Sequence, residues 1–257
     1  MNNEKQYHIN LSKENTAKYA ILPGDPGRVE KIAKLLDKPK EIAFNREYKT
    51  YEGYLDSQKI LVVSTGIGGP STAICVEELA KIGVDTFIRV GTCGGMQLNV
   101  NAGDLVIANG AIRMEGTSRE YLPIEFPAVA DFEVTSALSA AAKKLNFPHH
   151  IGVVQAKDSF YSQHNPDSMG VSDELNSKWR AWIKGGCLAS EMESAALYIV
   201  SAVRNLGSGA VFHCVWNQEQ AGHGMPQENH NSDSTCAIKT AIEALRILIV
   251  QDKNKSY

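Results

Sequence analysis

The chain has 257 residues, of which 43% are hydrophobic and 21% are charged, and its formal net charge at pH 7 is −3. This length and composition are those of a globular protein with one large domain or two small ones. The weak negative charge gives no electrostatic basis for binding nucleic acid or an anionic membrane, so we expect a small-molecule partner.

The N-terminus is polar over residues 1–6 and is not followed by the apolar stretch of a signal peptide. No segment approaches the roughly 18 apolar residues that are needed to span a bilayer. The five cysteines are scattered and never spaced as CxxC, which favours reduced thiols over disulfides or a zinc site. We therefore expect a soluble, cytoplasmic protein.

Apolar runs with β-branched residues alternate with helical patterns along the chain, which indicates βαβ units and a parallel or mixed sheet. The apolar runs predict strands at residues 19–22, 59–64, 86–90, 105–108, 151–155 and 209–215. The helical patterns cover residues 29–36, 71–82, 132–145, 191–204 and 235–250. We expect a single α/β domain over residues 1–257.

Two long segments, residues 162–177 and 217–234, match neither pattern and are rich in turn-forming and polar residues. Irregular segments of this length are uncommon in compact domains and usually act as binding loops or lids. The alternative is a disordered surface insertion. The second segment could act as a lid that excludes water from a site.

Arg28 ends the loop at residues 24–28, directly before a predicted helix. Backbone N–H groups and the helix dipole favour an anion at such a position. The alternative is a solvated surface charge after an ordinary turn. The glycine loop at residues 65–69 lacks the GxGxxG spacing of a dinucleotide site, which argues against NAD binding.

Arg89 interrupts an apolar strand that we expect to be buried on both faces. A guanidinium is costly there unless an anion and hydrogen bonds satisfy it. The glycines of residues 91–95 follow directly and allow backbone N–H groups to approach an anion at the carboxyl end of the strand. The alternative is an ion pair with a carboxylate of the fold itself, and Arg89 alone does not decide between the two.

The segment from Ser190 to Glu193 opens a predicted helix and fits the S-x-x-E capping box. If both glutamates are helical, Glu191 and Glu193 lie on different faces, so at most one of them acts directly on a substrate. A carboxylate beside an anion site is suited to accept hydrogen bonds from two sugar hydroxyls. None of the seven histidines has metal-site spacing, and there is no G-x-S-x-G motif.

Together these motifs resemble the hexameric family of nucleoside phosphorylases, which includes uridine phosphorylases and bacterial purine nucleoside phosphorylases. The resemblance covers nearly the whole chain and is carried by residues 23–28, 45–47, 64–71, 89–92, 158–161 and 191–195. Residues 125–131 and His8 favour the uridine branch. The resemblance implies a single α/β domain with a twisted mixed β-sheet flanked by helices, and a homo-oligomer, a hexamer built of dimers with shared active sites.

The resemblance also implies which residues hold each part of the substrates. Inorganic phosphate, the co-substrate, would contact Gly24, Arg28, Arg89 and Thr92, together with Arg46 from a neighbouring subunit. Ribose would contact Glu191, Met192 and Glu193, together with His8 from the adjacent chain. No cofactor or essential metal is implied, but the family's monovalent cation, such as K⁺, would contact Glu47, Ile67 and Ser71 at a dimer interface.

The sequence departs from the uridine branch at the base-reading end. Uridine enzymes usually have a Gln and an Arg two residues apart after a Phe-Tyr pair; here Gln163 follows Phe160 but no arginine does, and the register is open by one residue. We expect Phe160 to pack near the base or sugar and Gln163 to bind uracil. We infer that Lys157 supplies the missing positive charge; the alternative is a solvated Lys157 paired with Asp158.

Asn217 stands near the position where the purine branch has an acid that protonates the leaving purine, which favours a pyrimidine substrate. The expected reaction is the reversible phosphorolysis of uridine to uracil and ribose 1-phosphate, with 2′-deoxyuridine or thymidine as secondary substrates. Phosphate is already an anionic nucleophile, so no catalytic triad or metal is needed to generate one. Catalysis would rest on Arg89, Glu193 and Gln163. The alternatives are a purine nucleoside phosphorylase, a nucleosidase that uses water, and a non-catalytic nucleoside-binding protein.

Overall fold

The computed structural model describes residues 4–226 and 233–255, which fold into strands and helices that alternate along the chain. The strands are β1 (Tyr19–Pro23), β2 (Asp37–Asn45), β3 (Tyr48–Leu55), β4 (Gln58–Val63), β5 (Thr86–Gly95), β6 (Leu105–Met114), β7 (Ala128–Val129), β8 (His149–Lys157), β9 (Ala189–Glu191) and β10 (Gly207–Asn217). The helices are α1 (Pro26–Ala33), α2 (Gly69–Lys81), α3 (Thr117–Tyr121), α4 (Phe132–Lys144), α5 (Phe160–His164), α6 (Ser172–Lys184), α7 (Ser194–Arg204), α8 (Gln218–Gly222) and α9 (Thr235–Lys255).

The strands form one mixed sheet in the order β10-β6-β8-β9-β5-β1-β4-β3-β2, and β7 pairs with β6. β5 is parallel to β1 and β10, whereas β9 is antiparallel to β5 and β6 is antiparallel to β10. Because β10 also pairs with β5, the strands β5, β10, β6, β8 and β9 close a ring. The expected single α/β domain with a mixed sheet flanked by helices is confirmed.

Two apolar clusters cover the two faces of the sheet, and successive residues of the central strands alternate between them. Phe87 joins the cluster that contains α2 and α7, and Ile88 joins the cluster that contains α1, α4 and α9. Both faces of β5 are therefore buried, which explains its continuous apolar sequence. Arg89 lies opposite Leu22 of β1 and Ala210 of β10 and is only 4% exposed.

The predicted strands, and every predicted helix except that at residues 191–204, correspond to elements of the structure. The helix predicted at residues 191–204 begins only at Ser194, because Glu191 pairs with Ala156 as the end of β9. The predicted irregular segment at residues 162–177 is wrong in part, since it contains the end of α5 and the beginning of α6. Helix α8 occupies the start of the segment at residues 217–234, and residues 227–232 of that proposed lid lie outside the described residues.

The helices of residues 4–226 and 233–255 include none that combines the length and apolar character needed to cross a bilayer.

Candidate active site

A cavity of about 970 Å³ lies where the loops after β1 and β4 meet the ends of β5, β8, β9 and β10. Its size is that of a pocket for a small organic molecule. The predicted site residues that line it are Gly24, Arg28, Glu47, Ile67, Ser71, Arg89, Thr92, Lys157, Phe160, Gln163, Glu191, Met192 and Glu193. The structure therefore brings together all predicted site residues except His8 and Arg46.

Arg89 is fixed at the floor of the cavity by contacts from two loops. Its Nη2 donates a hydrogen bond to Glu193 Oε2, and its Nη1 donates to Thr65 Oγ1 at 3.3 Å. Its Nε lies 3.8 Å from Glu191 Oε2 and has no hydrogen-bond partner within residues 4–226 and 233–255. Arg89 thus makes an ion pair within the fold, as one reading of the sequence allowed, and it also lines the cavity.

Glu191 and Glu193 have different tasks. Both oxygens of Glu191 accept hydrogen bonds from the N–H of Ser194, and Oε2 also accepts from the N–H of Glu193 at 2.8 Å, so Glu191 holds the start of α7. Burial raises the pKa of Glu191, and the charge of Glu193 adds to this effect. The predicted capping box from Ser190 is wrong, because Ser190 lies in β9 and its hydroxyl group bonds elsewhere.

The carboxylate of Glu193 joins two loops at the cavity wall. One oxygen accepts from Arg89, and the other accepts from the N–H of Gly68 at 2.7 Å. Gly68 precedes α2 and has a φ of 87°, a conformation that glycine adopts without strain. Glu193 is 5% exposed, whereas the neighbouring Met192 is partly exposed, and both line the cavity.

Arg28 brings a second guanidinium to the end of the cavity that contains Arg89. It lies in the first turn of α1, whose start is capped by the carboxylate of Asp25, which accepts from the N–H of Gly27 at 2.8 Å. Burial lowers the pKa of Arg28; Asp25 opposes this effect and the positive charge of Arg89 adds to it. Two partly desolvated cations that repel each other favour an anion between them. Arg28 is therefore not the solvated surface charge that the sequence allowed.

Small residues keep this end of the cavity open. A Cβ atom at Gly24 would lie 3.2 Å from the carbonyl oxygen of Gly66 and 3.7 Å from Nη2 of Arg89. A Cβ atom at Gly91 would lie 2.8 Å from the ring of Phe212. A side chain at Gly91 would collide with Phe212, and one at Gly24 would crowd the space beside Arg89, so the two glycines leave room for an anion near the guanidinium groups.

Glu47, Ile67 and Ser71 meet at the rim of the cavity. A Cβ atom at Gly66 would touch Glu47 at 2.8 Å and Ser71 Oγ at 3.3 Å, so both side chains lie beside this glycine. Ser71 Oγ donates to the carbonyl oxygen of Ile67 at 3.0 Å. The group offers a carboxylate, a carbonyl and a hydroxyl oxygen, the ligand types that hard cations prefer.

A chain of hydrogen bonds runs behind the opposite end of the cavity. Lys157 Nζ donates to Ser190 Oγ at 2.5 Å, and this hydroxyl donates to Gln163 Oε1 at 2.7 Å. Gln163 Nε2 then donates to Gln218 Oε1 at 3.2 Å. Asp158 accepts from the N–H of Gly116 at 2.9 Å, and Lys157 is 4% exposed, so the alternative of a solvated Lys157 paired with Asp158 is wrong.

Three aromatic rings form the wall in front of this chain. The ring of His164 lies 4.4 Å from that of Phe160 and 5.6 Å from that of Trp216, measured between centroids. Lys157 Nζ lies 5.9 Å from the centroid of Phe160. All four residues line the cavity. This end is therefore aromatic with one cation, in contrast to the two guanidinium groups of the other end.

His8 and Arg46 lie outside the cavity and close to each other. The ring of Tyr7 lies 5.7 Å from the guanidinium carbon of Arg46 and 4.8 Å from the ring of His8. Glu78 accepts from the N–H of His8 at 2.9 Å and contacts its Nδ1 at 2.6 Å. Neither residue lines the cavity of its own chain, and their action on a neighbouring subunit stays a prediction.

The sequence analysis missed Thr65, Gly68, Ser190, His164 and Trp216, which contact predicted residues or line the cavity. The signal for His164 was present, since the register after Phe160 was left open by one residue. Thr65, Gly68 and Ser190 lay within recognised motifs, but their partners are distant in sequence and only the fold brings them together.

Residues 18–249 match the family described as the phosphorylase superfamily. A uridine phosphorylase of Treponema pallidum (strain Nichols) is 53% identical over 247 residues, which is 96% of this chain and 95% of that protein. The uridine phosphorylase of Escherichia coli (strain K12) is 40% identical over 97% of this chain and 100% of that protein. A guanosine phosphorylase of Halorubrum lacusprofundi is 40% identical over 80% of this chain and 81% of that protein.

Proposed function

Because the chain belongs to the phosphorylase superfamily, we propose that it catalyses the reversible phosphorolysis of uridine to uracil and ribose 1-phosphate. The observation that carries this proposal is the polarity of the cavity, with Arg28 and Arg89 at one end and the aromatic wall of Phe160, His164 and Trp216 at the other. An oxyanion suits the first end and a planar base suits the second. The reaction belongs to pyrimidine nucleoside salvage.

The phosphate end orients an anionic nucleophile. Arg28, Arg89, Gly24 and Thr92 would hold inorganic phosphate, and the guanidinium groups would place one of its oxygens below C1′ of the ribose. A bond forms from that oxygen to C1′ as the bond from C1′ to N1 of uracil breaks, and the electron pair stays on uracil. Phosphate is already charged, so the step depends on position and electrostatics.

The ribose lies between the two ends in this proposal, against Met192 and Glu193. Glu193 is held by Arg89 and Gly68, so its carboxylate is fixed before a sugar arrives. A fixed carboxylate can accept hydrogen bonds from ribose hydroxyl groups and stabilise positive charge that develops on the sugar. Arg89 therefore links the residue that binds the sugar to the nucleophile that attacks it.

The site would be completed by a second subunit. His8 and Arg46 lie together on one surface patch outside their own cavity, so a neighbouring copy could receive both residues at once. We propose a homo-oligomer with shared active sites, a hexamer built of dimers. The oxygen donors of Glu47, Ile67 and Ser71 could hold K⁺ with the partner's set, and a cytoplasmic location fits the five free cysteines.

A spectrophotometric assay of uridine, inosine and guanosine, each with and without phosphate, tests the proposed function. We expect uracil release from uridine that depends on phosphate, with 2′-deoxyuridine or thymidine cleaved more slowly. The guanosine phosphorylase relative makes guanosine the appropriate purine to include. Cleavage without phosphate would indicate a nucleosidase, exclusive cleavage of purine nucleosides would contradict the proposal, and no cleavage at all would indicate a binding protein.

Lys157 supplies positive charge to the base end in this proposal. Burial lowers the pKa of Lys157 to about 8, although the carboxylates of Glu191 and Glu193 oppose this effect. The ammonium group is therefore present below that pH and is lost as the pH rises through it. Because negative charge spreads over the carbonyl oxygens of the leaving uracil, the ammonium group would stabilise the leaving base.

The pH dependence of kcat/KM for uridine tests the role of Lys157. We expect a fall as the pH rises through about 8, because the charged form disappears. Lys157→Met should lower kcat/KM by about 30-fold at neutral pH and remove that fall, since one charged donor contributes roughly 2 kcal/mol. Its Tm should not decrease, because the variant removes a buried charge and leaves the Ser190–Gln163 hydrogen bond intact.

Lys157→Arg is the matched control, since arginine keeps its charge throughout this pH range. Activity of this variant, even if lower, should not fall between pH 7 and 9 in the way that the wild type does. Unchanged uridine turnover in Lys157→Met would contradict the proposed role.

A further inference from the structure

We propose that Glu78 positions His8 for the active site of the neighbouring subunit, because it holds the backbone of His8 and fixes which ring nitrogen carries the proton. This inference rests on the proposed function, in which His8 contacts the ribose of that subunit. Glu78 lies on α2 and does not line the cavity of its own chain, so it would act on substrate binding only through His8.

Glu78 is a buried carboxylate that is 7% exposed. One of its oxygens accepts from the N–H groups of His8 and Ile9, each at 2.9 Å, and the other lies 2.6 Å from Nδ1 of His8. A buried carboxylate is costly unless it is paired and hydrogen-bonded, and within residues 4–226 and 233–255 its hydrogen-bond partners are His8 and Ile9. The carboxylate therefore holds residues 8 and 9 against α2.

The ring of His8 is oriented, and one of its nitrogens is free. Because a carboxylate oxygen accepts hydrogen bonds, Nδ1 carries the proton in this contact. Nε2 has no hydrogen-bond partner in the part of the chain that the structure describes, and the side chain is 29% exposed. Tyr7 and Tyr48 lie edge-to-face with the ring, at centroid distances of 4.8 and 6.4 Å. In the neutral imidazole Nε2 is therefore an acceptor, which suits the hydroxyl group of a sugar.

The backbone around His8 has a second support. Nδ2 of Asn45 donates to the carbonyl oxygen of His8 at 2.7 Å, and Asn45 is the last residue of β2. The position of the segment therefore depends on β2 as well as on α2, whereas the ring nitrogen Nδ1 is held by Glu78. A change at Glu78 that keeps its backbone contacts can thus alter the ring without releasing the segment.

Glu78→Gln is such a change. Its amide oxygen can still accept from the two backbone N–H groups, so its NH2 group faces Nδ1, which must then become the acceptor. Nε2 of His8 changes from acceptor to donor. We expect KM for uridine to rise about 3- to 10-fold, the effect of one hydrogen bond, with KM for phosphate unchanged. A loosened segment would instead raise KM for phosphate as well, because Arg46 lies beside Tyr7 and His8, and that result would overturn the inference.

A double-mutant cycle with His8→Phe tests whether Glu78 acts through the imidazole. His8→Phe should raise KM for uridine about 10-fold, and adding Glu78→Gln should cause no further rise, since no ring nitrogen remains. Glu77→Gln, one residue earlier on α2, is the matched control; this glutamate pairs with Arg204, and its replacement should leave both KM values unchanged. Additive effects in the cycle, or a wild-type KM for uridine in Glu78→Gln, would overturn the inference.

Mixed oligomers test whether the effect crosses between subunits. When Glu78→Gln chains are co-expressed with an excess of Arg89→Met chains, the active cavities belong to Glu78→Gln chains and receive an unaltered His8 from their neighbours. KM for uridine should therefore return to the wild-type value. A KM that stays raised would show that Glu78 acts on its own cavity and would overturn the inference. Absence of uridine turnover in the wild type would instead overturn the proposed function.

Discussion

Replacing Arg89 with methionine is expected to lower kcat/KM for phosphate by about 1,000-fold or more, the largest loss for any single change in the site. Methionine fills much of the same space without the charge, so the nucleophile loses the cation at the floor of its pocket. Arg89 is 4% exposed, and its removal also leaves the buried carboxylate of Glu193 without its ionic partner. A loss of roughly 3 kcal/mol in the free energy of unfolding should therefore accompany the loss of activity.

The double variant Arg89→Met with Glu193→Gln separates these two effects. The glutamine can still accept the N–H of Gly68 and carries no charge, so stability measured by urea denaturation should largely return. Activity should not return, because the guanidinium group that binds phosphate and the carboxylate that binds ribose are both missing. Arg246→Met, which removes an exposed arginine paired with Asp56, is the matched control and should change neither quantity appreciably. Recovery of activity together with stability would show that Arg89 serves only the fold.

Replacing Glu193 with alanine is expected to lower kcat for uridine phosphorolysis by about 100- to 1,000-fold without weakening phosphate binding. The sugar loses the carboxylate that would bind it. The guanidinium group of Arg89 loses its hydrogen bond to Glu193, which would otherwise compete with phosphate for it. The phosphate then becomes the nearest anion for Arg89, so KM for phosphate should stay the same or fall. Steady-state kinetics with each substrate varied in turn provide this separation of kcat from KM.

Glu243→Ala is the corresponding control. It removes a glutamate of α9 that pairs with Lys144 at the end of α4, and neither residue belongs to the candidate site. It should leave kcat unchanged. If Glu193→Ala instead raised KM for phosphate and kept kcat, Glu193 would serve to position Arg89 and would not act on the sugar. Phosphate binding measured by calorimetry on the free enzyme would distinguish the two outcomes directly.

The buried strands could be predicted from the sequence, whereas the exposed ones could not. β1, β4 and β5 have continuous apolar runs because both faces of the sheet are covered, and such runs are visible without an alignment. β2 begins with mostly exposed, charged residues and contains Pro39, so neither alternation nor apolarity marks it. Helix α6 has no buried residue, yet Leu175, Trp179, Trp182 and Ile183 follow helical spacing, so this apolar stripe could have identified it.

In the candidate site, residues with an unusual local sequence could be recognised, whereas roles that depend on distant residues could not. Arg28 and Arg89 could be recognised because a loop and a strand give each of them an unusual local setting. The role of Glu191 could not, since strand pairing with Ala156 decides that it ends β9 and holds the start of α7. For the same reason, the occupied amide of Gln163 depends on Ser190 and Gln218, which the sequence does not place beside it.

The ring closed by β5 and β10 has a consequence for how the chain is made. Gly24 and Thr65 lie in the loops after β1 and β4, and Arg89 lies in β5; β1 pairs with both β4 and β5, and all three strands lie within the first 95 residues. The base end needs β8, β9 and finally β10, whose pairing joins residues 86–95 to residues 207–217. During synthesis on the ribosome, one edge of β5 therefore remains unpaired until the last third of the chain emerges. A stalled or truncated chain would be expected to aggregate through this unpaired strand edge.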